Sequence, residues 1–221
     1  MTNLSKLAMG GLFALVLGSA CSTTQASVVD DALLSKLTAR ERAEISDAQQ
    51  VRDRAEADWI AAKELRVQAQ KDIEIARSGL KISRAQLEQS ELLVERASSQ
   101  SIPEMTSARV SADWHRARVR ASQATYEHAR AYEAWTRSSS KLAKRELELS
   151  EAALELEKVR AVSGLGRQEQ ELDLPKFERT LAEREASVES ARRRVRQARE
   201  VADRALADKN AAMEQASALT P

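Results

Sequence analysis

Residues 45–97 read ISDAQQVRDRAEADWIAAKELRVQAQKDIEIARSGLKISRAQLEQSELLVERA, and in them a small side chain returns at every seventh position: Ala48, Ala55, Ala62, Ala69, Ala76, Ser83, Ser90 and Ala97. Interleaved at the same period stand Ile45, Arg52, Trp59, Arg66, Ile73, Leu80, Leu87 and Val94. Offsets that alternate between three and four are those of a heptad, which keeps one narrow stripe of an α-helix against a partner. Because interaxial distance follows the side chains at the contact, a row of alanine and serine predicts a partner helix at or below the usual ~8 to 10 Å. The stretch is half of a tight helix pair.

The composition agrees. Charged residues make up 31% of the 221, aromatics only 3%, and there are six glycines and three prolines, which suits a long helical bundle and not a globular core. Disordered chains share the polarity but carry no persistent apolar period, so the seam argues against disorder. Lysine and arginine nearly cancel aspartate and glutamate, for a net charge of +1, and such a balance provides no field to attract nucleic acid.

Outward from the seam, the first helix is expected over 29–98, beginning where Asp30 and Asp31 place negative charge at a helix N-terminus and running roughly 100 Å. The run Ser98 to Glu104 ends it. Ser101 followed three positions later by Glu104 has the spacing of a capping box, and Pro103 is tolerated in a first turn. The second helix, 103–163, carries Trp114, Ala121, His128, Trp135, Leu142, Leu149 and Leu156 at one seam position. Val110, Ala117, Ala124, Ala131, Ser138, Arg145, Ala152 and Val159 take the other. Taken as the face toward the first helix, these imply an antiparallel hairpin. Gly164 and Gly166 close the second helix, and Asp173 before Leu174 and Pro175 caps a third over 173–217. Its seam is Leu174, Leu181, Val188, Val195 and Ala202 against Phe177, Ala191, Ala198, Ala205 and Ala212, and fades at Lys209. The expected fold is all-α: an elongated antiparallel coiled coil, a long helical hairpin plus a shorter third helix, with the helices shortening in order, the third ending short of the Ser101 turn and residues 218–221 fraying.

The N-terminus gives an address. Lys6 precedes an apolar run from Leu7 to Leu17, shorter than the ~20 residues that span a bilayer, and small residues lead to Cys21, the single cysteine. Leu17, Gly18, Ser19, Ala20 and Cys21 resemble the lipobox of bacterial lipoproteins, with Gly18 where that family usually has leucine. The resemblance implies removal of residues 1–20 and lipidation of Cys21, and Ser22 in place of aspartate implies the outer membrane's periplasmic face in preference to the inner membrane or the cell surface. One acyl chain at ~0.8 kcal/mol per methylene anchors marginally, whereas several anchor durably. Residues 22–28 are small and polar, a flexible tether. A lone cysteine excludes an intrachain disulfide.

No chemistry-bearing constellation accompanies this architecture. His115 and His128 lie thirteen apart with no cysteine to join them in a zinc site, no glycine-flanked serine elbow occurs, and Gly164 and Gly166 lack the lysine of a phosphate loop. The reading is of no enzyme and no cofactor. Arg192, Arg193, Arg194, Arg196 and Arg199 form a basic cluster, expected to pair internally with Asp53, Glu56 and Asp58 of the first helix.

What remains is a surface. Opposite the anchor, the tip from Leu87 to Val119 lies beyond the third helix and offers Leu92, Leu93, Val94, Ile102, Met105, Val110 and Trp114. Arg116, Arg118 and Arg120 lie beside it, either to steer an acidic partner or to pair with Glu88, Glu91 and Glu95. The expected role is a structural or adaptor lipoprotein that meets an envelope protein near peptidoglycan, with self-association open. The rival is a coiled-coil regulator of a peptidoglycan-modifying or other envelope enzyme.

Overall fold

A computed structural model describes residue 29 and residues 34–99, 101–163 and 173–219. Three helices account for nearly all of them: α1 over Ala39–Ala97, α2 over Ile102–Ser163 and α3 over Leu174–Ala218, of 59, 62 and 45 residues. At 1.5 Å per residue they run about 88, 93 and 68 Å. The expected order of lengths therefore changes, because α1 starts ten residues later than the acidic pair at 30 and 31 suggested. Its start is set by Thr38, whose Oγ1 accepts from the Glu41 backbone N–H while the Glu41 carboxylate accepts from the Thr38 N–H at 2.8 Å. This reciprocal box satisfies two donors that a helix end leaves orphaned.

The described residues before the box supply a plug. Val29 and Leu37 are almost fully buried and pack with Val159 and Val162 at the end of α2, joined by Leu34, Ile45, Leu174 and Phe177. That apolar knot gathers the start of α1, the end of α2 and the start of α3.

Toward the other end the expected turn forms. Glu104 Oε2 accepts from the Ser101 N–H at 3.1 Å and its hydroxyl at 2.9 Å, and Ser98 and Ser99 hydroxyls return to the carbonyls of Glu95 and Arg96. α3 starts as expected, with the Asp173 carboxylate accepting from the Lys176 N–H at 3.1 Å and Pro175 in the first turn. Gly164, Gly166, Cys21 and residues 22–28 lie outside the described residues.

Packing follows the heptads, with one correction. All sixteen α1 seam residues are buried or half-buried, while nearly all of the rest of α1 is exposed. A stripe so narrow serves one main neighbour, and beyond the knot α1 packs along α2. The seam assigned to α2, however, faces α3 and not α1: His128 and Trp135 lie against Ala202 and Leu206, and the Arg145 guanidinium donates to the Ser187 carbonyl at 2.9 Å. α1 is met by a second stripe, Ala112, Ser122, Ala129, Glu133, Thr136, Ser140, Ala143, Leu147, Ser150 and Leu154. The two hydroxyls of Ser83 and Ser122 share a hydrogen bond at 2.7 Å across that contact.

At 3.6 residues per turn the two stripes of α2 stand about 160° apart. Helices α1 and α3 consequently flank α2 on opposite sides and barely approach each other. The molecule is a three-helix layer with α2 in the middle, a long hairpin plus a shorter third helix as expected. The basic cluster follows suit: Arg192 pairs with Glu146 of α2 and Glu189 of its own helix at 3.1 and 2.7 Å, and Arg199 pairs with Asp203. Asp53 and Glu56 pair instead with Arg52 on α1.

Ala69 is fully buried in the α1–α2 seam. Replacing it with leucine overpacks the contact and should cost about 1 to 3 kcal/mol, whereas Glu74→Ala on the exposed face should stay within about 0.5 kcal/mol. Urea unfolding of the two variants checks this, and equal midpoints would contradict the register.

Candidate functional site

Two surfaces arise where helices leave α2 uncovered. The first is the tip. Lys209 of α3 stands level with Thr125 and His128 of α2, and nine residues remain before α3 ends at Ala218, so α3 stops near the level of Val119. From there to Ile102, about 25 Å at 1.5 Å per residue, the stripe of α2 that α3 covers elsewhere continues as Trp114, Val110 and Ser107 with no helix over it among the described residues.

The candidate residues sit there with different partners. Ile102 is 76% exposed, Leu93 55% and Val110 47%, while Met105 and Trp114 are half-buried. Arg118 lays its guanidinium over the Trp114 ring, 4.8 Å from the centroid, and the His115 ring lies 4.7 Å away on the other neighbour. Such stacking shields an aromatic face that a third helix would otherwise cover. Arg116 spans the hairpin to Glu91 at 3.1 Å and holds Asp113 at 2.8 Å, and these bonds raise its pKa. Arg120 is exposed. Of the three arginines one is thus internally paired, one is spread on an aromatic ring and one faces solvent. A groove of about 410 Å³ between the helices, lined by Ser90, Leu93, Ala97, Glu104, Ser107 and Ser111, opens beside this stripe.

The second surface lies at mid-length, where His128, Tyr132 and Trp135 form a ladder along α2 with ring centroids 6.1 and 5.2 Å apart. One side opens to Arg199, Asp203 and Leu206 in a cavity of about 330 Å³, the other to Asp72, Ile75 and Lys209 in one of about 390 Å³. The Trp135 indole N–H is buried without a hydrogen-bond partner. The heptad seam takes in His128 and Trp135 but not Tyr132 and so does not reveal the ladder, although the i, i+4 and i, i+3 spacing that stacks the three is visible in the sequence.

Among the described residues no group of three or more His, Cys, Asp or Glu could hold a metal ion, and no helix is long and apolar enough to cross a membrane. Burial lowers the pKa of His128 below its ordinary 6.5, and the nearby Lys209 lowers it further. Asp203 and Arg199 of α3, Asp72 of α1 and Tyr132 line the same grooves. A depressed folded-state pKa means that the unfolded chain takes up the proton first. The contribution is therefore complete above about pH 6.5 and lost as pH falls through the folded value. Acidification from pH 7.5 to 5.5 should lower Tm in the parent more than in His128→Gln, and parallel curves would contradict the assignment.

No family model, no curated protein and no solved structure matches this chain.

Proposed function

We propose that the protein is a non-enzymatic structural or adaptor lipoprotein, held by acyl chains on Cys21 at the periplasmic face of the bacterial outer membrane, that presents the two-helix tip to an envelope partner. The observation that carries this reading is the stripe of α2 left open beyond the end of α3. Elsewhere the same positions are covered along the length of α3, so their exposure at the tip is confined to one place. A contiguous exposed apolar patch of that kind is how soluble surfaces mark interaction sites.

Val29, eight residues after Cys21 in sequence, packs with Leu37 in the apolar knot, and the tip lies the length of α1 away, about 88 Å at 1.5 Å per residue. A rigid arm of that reach suits an adaptor better than a catalyst, since length and stiffness serve to place a contact surface at a set distance.

The test is photocrosslinking in intact cells from Met105 and Arg109, with matched probes at Glu44 and Arg160 near the knot. Protein adducts should form from the tip probes, and Cys21→Ser should release the chain from membrane fractions and abolish them. Adducts confined to the knot end, with helicity unchanged, would overturn the assignment of the tip, and retention of Cys21→Ser in washed membranes would overturn the anchor.

A further inference from the structure

We infer that the occupant of the open stripe is a second copy of the same tip, laid antiparallel so that α2 of each copy completes the lane that α3 of the other leaves vacant. This rests on the reading of the tip as the contact surface and names its partner. The lane is bounded by the end of α3 on one side and the Ser101 turn on the other, and is the length of the α2 segment that would fill it.

The flat layer makes the arrangement possible. α1 lies on the opposite side of α2 from the open stripe, so two tips brought together by a twofold axis normal to the layer keep α1 of both copies on the outside. α3 of each copy then meets the other copy's turn end to end. A closed three-helix bundle would place α1 in the way. Residue spacing sets the register: with the axis between Val110 and Ser111, Ser107 faces the second copy's Trp114 and the two Val110 side chains lie within one residue of each other.

Charge is self-complementary in that register. Glu104 and Arg118 occupy the same flank of the stripe, and an antiparallel pair centred near Val110 brings Glu104 of each copy beside Arg118 of the other, twice over. Both groups are available. Glu104 uses only Oε2 in capping Ser101 and its pKa is lowered by those bonds, while Arg118 lies on Trp114 with no carboxylate within ion-pair distance among the described residues. The overlap is only about 25 Å of helix in each copy, so association is expected to depend on concentration, as confinement to a membrane surface would favour.

The experiment uses the full-length chain carrying Val110→Cys, with exposed Val51→Cys as control, under mild oxidation in intact cells and after purification in detergent. A disulfide-linked species of twice the monomer mass should form from Val110→Cys and not from the control or the parent. Adding Arg118→Glu should cut its yield several-fold, and adding Glu104→Arg to that variant should restore it. A Val110→Cys chain that stays monomeric overturns the proposal, as does failure of the charge swap to rescue. Should Met105 photocrosslink a different protein while no self-disulfide forms, the tip stands as a contact surface and the second copy is excluded.

Discussion

The constraint on which the structure depends is that α2 must satisfy two neighbours on nearly opposite faces. One stripe of Ala129, Thr136, Ala143 and Ser150 meets α1, and another of Ala131, Trp135, Leu142 and Leu149 meets α3. A helix partnered on both sides carries two buried stripes, as α2 does, with Glu127, Arg130, Ala134, Arg137, Lys141 and Lys144 exposed on a flank between them, whereas α1 and α3 each need only a narrow seam. The consequence is a layer with open flanks. Without a common core enclosed by three helices, stability rests on close approach along two seams, and the small side chains permit it. The apolar knot at Val29, Leu37, Val159 and Val162 is where the chain gains a conventional core, and it lies at the opposite end of α1 from the Ser101 turn.

Alanine seams alone specify register weakly, since one alanine layer resembles the next. Polar groups placed within them do more. Glu133 is buried in the α1 contact and held by the Arg137 guanidinium at 2.9 Å, with Arg66 of α1 3.8 Å away. Slipping α1 by one heptad would carry Arg66 away from a carboxylate that is 7% exposed and leave it to Arg137 alone. The Ser83–Ser122 bond marks a second layer farther toward the tip. Together they fix α1 against α2 in a way that apolar matching could not.

Much of this was legible. The α1 and α3 seams are found at the expected positions, the turn at Ser101 and Glu104 forms, Asp173 caps α3, and Lys209 interrupts a seam that nevertheless continues to Ala212 and Ala216. Two features were not read. Thr38 and Glu41 have the same spacing as Ser101 and Glu104, but the acidic pair at 30 and 31 offered an earlier start, and the burial of Val29 and Leu37 against α2 that makes residues before Thr38 a plug is a tertiary effect. The α1-facing stripe of α2 was hidden because serine, threonine and a glutamate hold positions where a search for hydrophobic periodicity finds little contrast. Its signal was the return of a small residue at Ser122, Ala129, Thr136, Ala143 and Ser150, the feature that had identified α1. Assigning the other stripe to α1 leaves the hairpin correct but misplaces the partners of Arg192 and Arg199.

The layered arrangement is tested most directly by pulsed electron paramagnetic resonance on paired spin labels at one level of the molecule, Lys71 of α1 with Ala134 of α2 and Lys71 with Glu200 of α3. With neighbouring axes ~8 to 10 Å apart, α1 and α3 on opposite sides of α2 should be separated by about 15 to 20 Å, nearly twice the α1–α2 spacing once label reach is taken into account. Equal spacings for the two pairs would mean a closed bundle, and would contradict both the two-sided burial of α2 and the open lane at the tip.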